Sequence, residues 1–329
     1  MRSLLEVRNL SVEFASRRKR LLALDNVSLD IRAGETLGIV GESGAGKSLL
    51  GSSIIGLLEP PGEIIGGSVS LDGAEIAGLS DRQMRSIRGR KIGIVFQDPL
   101  TSLHPLLTIG RQLIDTIRAH LSLSNVEARE RALKLLKEVG IPGAEQRLHH
   151  YPHQFSGGMR QRVVIALALA ADPQLIIADE PTTALDVSVQ AQIISLLKSL
   201  CSERQTAVML ISHDLGLIAQ AADRVAVLYA GRIVESGPAD SILSMPAHPY
   251  TQGLIRSIPR LESSQRRLGQ IGGAMPHLDG IPSGCSFWPR CERAMISCRQ
   301  SAPPLRAVRD SQVACWLYEN TEIREGQGA

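Results

Sequence analysis

One octapeptide, Gly41-Glu42-Ser43-Gly44-Ala45-Gly46-Lys47-Ser48, constrains this chain more than any other segment. It follows the apolar run Thr36 to Val40 and precedes a helical pattern, the strand–loop–helix setting in which a glycine-rich loop wraps phosphate groups. Glycines let successive backbone N–H groups turn inward as a nest, and the helix N-terminus adds its positive dipole end. Lys47 can reach the β- and γ-phosphates of a nucleoside triphosphate and Ser48 can ligate Mg²⁺. A buried strand feeding such a helix belongs to a parallel sheet covered on both faces, so the expected fold class is α/β.

Three further short apolar runs, Ile92 to Phe96, Leu175 to Ala178 and Ala207 to Ile211, repeat the pattern and are mostly separated by helical spacing. Ahead of them, residues 4–14 and 24–31 alternate apolar and polar positions and read as two antiparallel strands, joined by the basic loop Ser16 to Arg20, a solvated tip with no assigned role. Between Phe96 and Leu175 the strand pattern stops. Segments 108–120 and 124–139 have helical spacing behind the N-caps Thr108 and Ser124, so a helical subdomain over about 98–171 is expected within the sheet sequence. From about Met245 the chain turns to Pro, Gly, Cys and Arg with little periodicity, which marks a boundary between 1–245 and a separate extension over 246–329. A helix at 188–201 makes Cys201 a small core residue.

The strand ends carry the remaining chemistry. Leu175 to Ala178 is followed by Asp179-Glu180, two carboxylates that must project at the strand end. Asp179 can serve the Mg²⁺ shell, and Glu180 can take a proton from an attacking water. Gln97 follows the second run and His213 the fourth, so all four groups lie beyond carboxyl ends of strands, where open α/β sheets bind ligands. Phe155-Ser156-Gly157-Gly158-Met159-Arg160-Gln161-Arg162 opens another helix, running to Ala171, with a glycine-rich N-terminus able to hold an anion. No strand directly precedes it, so the chain is expected to carry two separated half-sites for phosphate that head-to-tail dimerisation would unite.

The 43% hydrophobic and 21% charged composition excludes disorder, and a net charge of +3 falls short of a dedicated nucleic-acid binder. The longest apolar run, Val163 to Ala171, is nine residues, against about 20 for a membrane span. Charges at Arg2, Glu6 and Arg8 interrupt any secretory signal, so a cytoplasmic location is expected.

Over roughly Leu4 to Leu243 these motifs resemble the ATP-binding cassette (ABC) ATPases. Gln97 is similar to their Q-loop glutamine, Phe155 to Met159 to the signature, Ala184-Leu185-Asp186 to the D-loop and His213 to the switch histidine. The resemblance implies a RecA-like parallel sheet core with an antiparallel β subdomain and a helical subdomain. It further implies that Ser156, Gly157 and Gly158, with Asp186, serve ATP held by a partner subunit, that Phe14 stacks on the adenine, and that Gln97 joins Ser48 and Asp179 around Mg²⁺. The signature departs from the common Leu-Ser-Gly-Gly-Gln form at Phe155 and Met159.

More closely, Phe96 to Leu103, the signature and His248-Pro249-Tyr250-Thr251 resemble the ATPase subunits of bacterial dipeptide and oligopeptide importers. That likeness implies ATP hydrolysis driving peptide uptake, a second ATPase subunit in a heterodimer more than a homodimer, two membrane permeases and a periplasmic binding protein. It places the chain peripherally at the cytoplasmic face of the inner membrane. Asp98 to Gly110 is a contact candidate for the permeases, and equally a loop with buried leucines. Related ATPases serve importers of nickel and other solutes, and a soluble cassette acting on nucleic acid is the remaining alternative.

Cys285, Cys291, Cys298 and Cys315 have five, six and sixteen residues between them. Four such thiols suit a tetrahedral metal or a cluster but lack the Cys-x₂-Cys knuckle of zinc ribbons, and spacing alone leaves iron–sulfur, zinc and free thiols open. The resemblance implies a [4Fe–4S] cluster there.

Overall fold

The computed structural model describes residues 3–15, 19–183, 185–258 and 270–319. The expected roles of Met1 and Arg2, of Ser16 to Arg18 in the basic loop and of Ala184 in the D-loop lie outside the described residues. Strands β1 (Ser3–Ala15) and β2 (Arg20–Arg32) pair antiparallel, and β3 (Thr36–Val40) opens a second sheet. The chain returns to the first sheet with β4 (Gly62–Leu71) and β5 (Ala74–Glu75), giving the order β2-β1-β4-β5. It then builds the second with β6 (Ile92–Val95), β7 (Leu175–Asp179), β8 (Ala207–Ser212), β9 (Arg224–Tyr229) and β10 (Arg232–Pro238). Two short strands of the C-terminal extension, β11 (Arg306–Val308) and β12 (Ser311–Val313), complete it in the order β11-β12-β10-β9-β3-β8-β7-β6. The run from β9 to β6 is parallel, with Thr36 opposite Val208, Leu175 opposite Ala207 and Ile92 opposite Leu175.

Both faces of that parallel run are buried, and alternation along each strand sorts its side chains between two cores. Ile176, Ala178, Val208, Leu210, Val225 and Val227 pack with Val163, Ile165, Ile193, Leu197 and Ile218 of the helices on one face. Leu175, Ile177, Met209, Ile211, Ala226 and Leu228 face the other way, against Leu50 and Ile54 of the helix Lys47–Ile54 and against Leu5, Val7, Leu29 and Ile31 of the antiparallel sheet.

Between β6 and β7 stand the helices Ile109–His120 and Asn125–Glu138. Thr108 caps the first by accepting from the Arg111 amide, and Ser124 forms a capping box with Glu127 at the second. Ile109, Leu113 and Ile117 meet Ala128, Ala132, Leu135 and Leu136 in the first core, at the spacing of one helix face. The signature helix spans Gly157–Ala168, ending before the apolar run does, because Asp172 takes a left-handed conformation and Pro173 cannot continue a helix. Cys201 is buried in the helix Val187–Glu203, and burial pushes its thiol up to about 12.

The expected break near Met245 is not a break in the sheet. β12 pairs with β10, setting Val313 opposite Glu235. The fully buried Glu235 carboxylate accepts from the Ala247 and His248 amides at 2.7 and 2.9 Å. His248 Nδ1 in turn accepts from the Tyr250 amide, capping the helix Pro249–Arg256. Three-residue strands and backbone-to-carboxylate anchors carry no periodicity, so this docking is silent in the sequence pattern.

His248 is buried, which pushes its pKa down to about 3 and keeps the ring neutral. An unfolded histidine titrates near 6.5. The stability gained from the neutral ring is therefore fully present above pH 6.5 and falls by about 1.4 kcal/mol per unit below it, about 2 kcal/mol by pH 5. His248→Asn keeps an acceptor for the Tyr250 amide and should lose less stability than wild type between pH 7 and pH 5. Urea unfolding at the two pH values checks this, since Glu235 titrates in both proteins, and equal losses would refute it.

Candidate functional site

Gly44 and Gly46 hold φ of +82° and +102°, conformations that side-chain-bearing residues rarely adopt, and they let the loop curl ahead of the helix Lys47–Ile54. The Lys47 side chain is buried under that curl, its Nζ donating to the Gly41 and Glu42 carbonyls at 2.9 and 3.0 Å. Burial pushes the ammonium below the ordinary lysine range, while the charges of Glu180, Asp179 and Glu42 hold it up. Ser48 Oγ donates to Asp179 Oδ1 at 3.0 Å. Burial, aided by the Glu180 charge, raises the Asp179 pKa against the Ser48 hydrogen bond and Lys47. A buried carboxylate of raised pKa beside a hydroxyl is a donor pair that a divalent cation would relieve, so these residues fit Mg²⁺.

Glu180 lies one residue beyond β7 with φ of 45°, a strained choice for a residue bearing a side chain. Its Oε2 accepts from Thr183 Oγ1 at 2.9 Å and from Gln97 Nε2 at 3.2 Å, and lies 3.2 Å from His213 Nδ1. Burial pushes this carboxyl up, but the Thr183 and His213 hydrogen bonds, with the charges of His213 and Lys47, outweigh it and leave the pKa below the ordinary glutamate value. The carboxylate is therefore ionised and ready to accept a proton.

A cleft of about 630 Å³ gathers Phe14, Ser43, Gly44, Gly46, Lys47, Ser48, Gln97 and Glu180. Asp179 and His213 join it through Ser48 and Glu180. Ala45 is wholly buried beneath the loop, and the Glu42 side chain is turned away, toward Arg290 of the extension. The opposite wall is Met275 to Leu278, also from the extension. An exposed ion pair between Lys19 and Asp279, 3.6 Å, links that wall to the β1–β2 hairpin.

The signature does not line this cleft. Ser156 caps its helix by accepting from the Met159 amide, Phe155 is buried, and Gly157 and Gly158 lie against Leu185 and Val189. A Cβ on Gly158 would stand 3.0 Å from Val189 Cγ1, a contact that the valine side chain would have to yield to. Asp186 is the N-cap residue of the helix that carries Val189, so the signature and the D-loop segment share one region.

Sequence reasoning missed Thr183, Arg290, Tyr250 and the wall Met275 to Leu278. Tyr250 falls within the motif His248 to Thr251 and Arg290 within Pro289-Arg290-Cys291 of the cysteine tail, but neither motif says anything of the phosphate loop.

Of the four cysteines of the extension, Cys298 is buried and Cys285, Cys291 and Cys315 are partly buried. The Cys285 amide donates to the Cys298 carbonyl, and the Met295 amide to Cys298 Sγ. Burial first, then the charges of Cys285, Cys291 and Cys298, push the Cys315 thiol up to about 11. Among the described residues, no three His, Cys, Asp or Glu side chains are grouped as ligands of a single metal ion.

Residues 24–183 match the family described as ABC transporter, and residues 234–298 the family described as Oligopeptide/dipeptide transporter, C-terminal region. The chain is 45% identical to the oligopeptide transport ATP-binding protein AppD of Bacillus subtilis, covering 97% of this chain and 98% of that one. It is 47% identical to OppD, the oligopeptide transport ATP-binding protein of Salmonella typhimurium, over 95% and 93% of the two chains. Among solved structures, the dimeric ATP-binding cassette MJ0796 bound to ADP and Pi aligns with a TM-score of 0.64 at 34% identity, covering 71% of this chain and 98% of that one. The chain belongs to the ABC transporter ATP-binding proteins, in the group that carries the oligopeptide/dipeptide transporter C-terminal region. As a member it is an ATPase that works with a transporter.

Lys47→Ala should weaken nucleotide binding at least about tenfold, because a charge-assisted phosphate contact is removed. Titration with a fluorescent ATP analogue checks this, and unchanged affinity would contradict the phosphate-loop reading.

Proposed function

We propose that this chain is the ATPase subunit of an importer that takes up di- and oligopeptides across the bacterial inner membrane, bound peripherally at the cytoplasmic face. The observation that carries the ATPase mechanism is the single Glu180 carboxylate held by Thr183, Gln97 and His213 beside Lys47 and the Ser48–Asp179 pair. Residues Gly41 to Ser48 bind the triphosphate, Phe14 faces the base, and Ser48, Asp179 and Gln97 hold Mg²⁺. The metal, when bound, neutralises charge on the β- and γ-phosphate oxygens. Glu180 takes the proton of the attacking water, and His213 orients that carboxylate through its hydrogen bond. Ser156, Gly157, Gly158 and Asp186 complete the site of a second ATPase subunit, a sister chain in a heterodimer, and receive the same from it. That none of them lines this chain's own cleft supports that division.

Residues 1–245 act as the cassette, with the helical subdomain over about 98–171, and 246–329 as the extension. Leu100 and Leu106 stand 61% and 78% exposed just after Gln97 while Leu103 is buried, so the segment both packs and presents an apolar face, as a permease contact requires. Among the described residues no helix is long and apolar enough to cross a membrane, and two permease subunits with a periplasmic binding protein supply the passage. Cys285, Cys291, Cys298 and Cys315 hold a [4Fe–4S] cluster with a structural role. One buried thiol, Cys298, and three partly buried ones, with Cys315 within reach of the charge of the other three, support that set, and a cluster accommodates wider sulfur separations than a single ion.

Two measurements test this reading. Glu180→Gln should bind ATP and hydrolyse it at least about 10²-fold more slowly, and near-normal turnover would remove Glu180 from the role of base. Anaerobic purification should give about four iron and four acid-labile sulfide per chain, lost in Cys291→Ser. Zinc or no metal would overturn the cluster and leave the ATPase untouched.

A further inference from the structure

Glu42 is an awkward residue for its place. It is the second residue of a loop that must attract a polyanion, and an unpaired carboxylate there would repel one. The extension deals with it at two points. Arg290 grips the carboxylate in a two-pronged ion pair, Nη1 to Oε2 at 2.6 Å and Nη2 to Oε1 at 2.9 Å, with a side chain only 6% exposed. Tyr250, wholly buried, accepts from the Glu42 amide through its hydroxyl at 2.8 Å.

Neither contact is a chance surface meeting. The Arg290 Nε donates to the Gly272 carbonyl at 2.8 Å, and its guanidinium lies over the rings of Tyr229 and Phe287 at 5.8 and 6.0 Å. The Tyr250 ring packs edge-on to Tyr229 at 4.7 Å and tilts against Phe287 at 5.3 Å. Tyr250 is delivered there by the Glu235–His248 anchor on β10. Together with the Lys47 contact, the amide, carboxylate and carbonyl of Glu42 are all fixed, two of the three by residues more than two hundred positions away in sequence.

We infer that Arg290 and Tyr250 are positioning residues of the phosphate-binding loop, so that the C-terminal extension sets nucleotide affinity. This rests on the reading of Gly41 to Ser48 as the ATP site. A loop already ordered pays less entropy when it closes on phosphate, and a neutralised Glu42 removes a repulsion that would otherwise oppose the triphosphate. Both effects act on binding and neither touches the bond that breaks.

The test uses the full chain and Mg-ATP, comparing wild type with Arg290→Gln, Glu42→Gln, the double variant and Tyr250→Phe. Arg290→Gln should raise the Kd and the KM for ATP about tenfold while kcat changes less than about twofold. The double variant should recover most of that loss, because the stranded carboxylate is gone. A merely structural extension would predict no recovery, and an Arg290→Gln affinity within twofold of wild type, or a double variant as weak as the single, overturns the inference. If Arg290→Gln does not fold, Tyr250→Phe decides, since it deletes one hydroxyl: a Kd raised severalfold supports the inference and an unchanged Kd overturns it. Lys47→Ala run in parallel separates the two readings. ATP binding that survives in Lys47→Ala defeats the phosphate-loop reading, whereas loss there with normal affinity in both extension variants defeats this inference alone.

Discussion

Four parallel strands, β3, β6, β7 and β8, run in register and end at one edge, and every charged group of the site is placed by that alignment. Their interiors are buried on both faces, so no carboxylate, ammonium or imidazole can sit within them without an uncompensated desolvation cost. The polar residues are expelled to the strand ends, and the parallel register brings those ends together. Asp179 reaches Ser48 across 131 residues of sequence and Gln97 reaches Glu180 across 83, each by way of the strands that precede them. Helices on one face, and the helix Lys47–Ile54 with the antiparallel sheet on the other, cover the parallel run and leave the chemistry to this edge.

The same logic explains what was readable beforehand. The loop Gly41 to Ser48 was legible because its geometry is local, with glycines, lysine and serine all within one strand–turn–helix passage. Asp179 and Glu180 stood out because two acids end an apolar strand, and Gln97 and His213 because they occupy equivalent strand exits. Phe14 and Asp186 entered through family resemblance, since a lone aromatic on an edge hairpin and an aspartate before a helix have many ordinary uses. Thr183 could not be distinguished from any turn threonine until Glu180 bent back over it in a left-handed conformation. Arg290 and Tyr250 were beyond reach for a different reason: their partner lies 248 and 208 residues away, and no periodicity encodes a contact of that span.

A stretch rich in Pro, Gly and Cys reads as a separate extension whose contacts the sequence leaves unstated, because its elements are too short to show a pattern. In the fold it supplies two strands to the main sheet, one wall of the cleft and both braces on Glu42. Its order comes from specific polar anchors, Glu235 to the 247–248 backbone and Arg290 to Glu42, and from a knot of aromatic rings, Tyr229, Tyr250 and Phe287. With four Phe and four Tyr in the whole chain, three of those eight rings are spent on this one junction.

The pairing of β12 with β10 also settles how the sheet terminates. Seven-residue β10, with Ile233 and Val234 buried, would by itself present a row of free N–H and C=O groups able to template pairing with another chain. The hairpin β11–β12 pairs with the middle of that row, at Val234 to Ser236, and its outer strand is three residues long, too short to recruit a neighbour easily. The tail is thus a protecting group for the sheet. A version of this ATPase trimmed to its cassette would bare a sticky edge and a buried acid stripped of its donors, making self-association the first consequence of the cut.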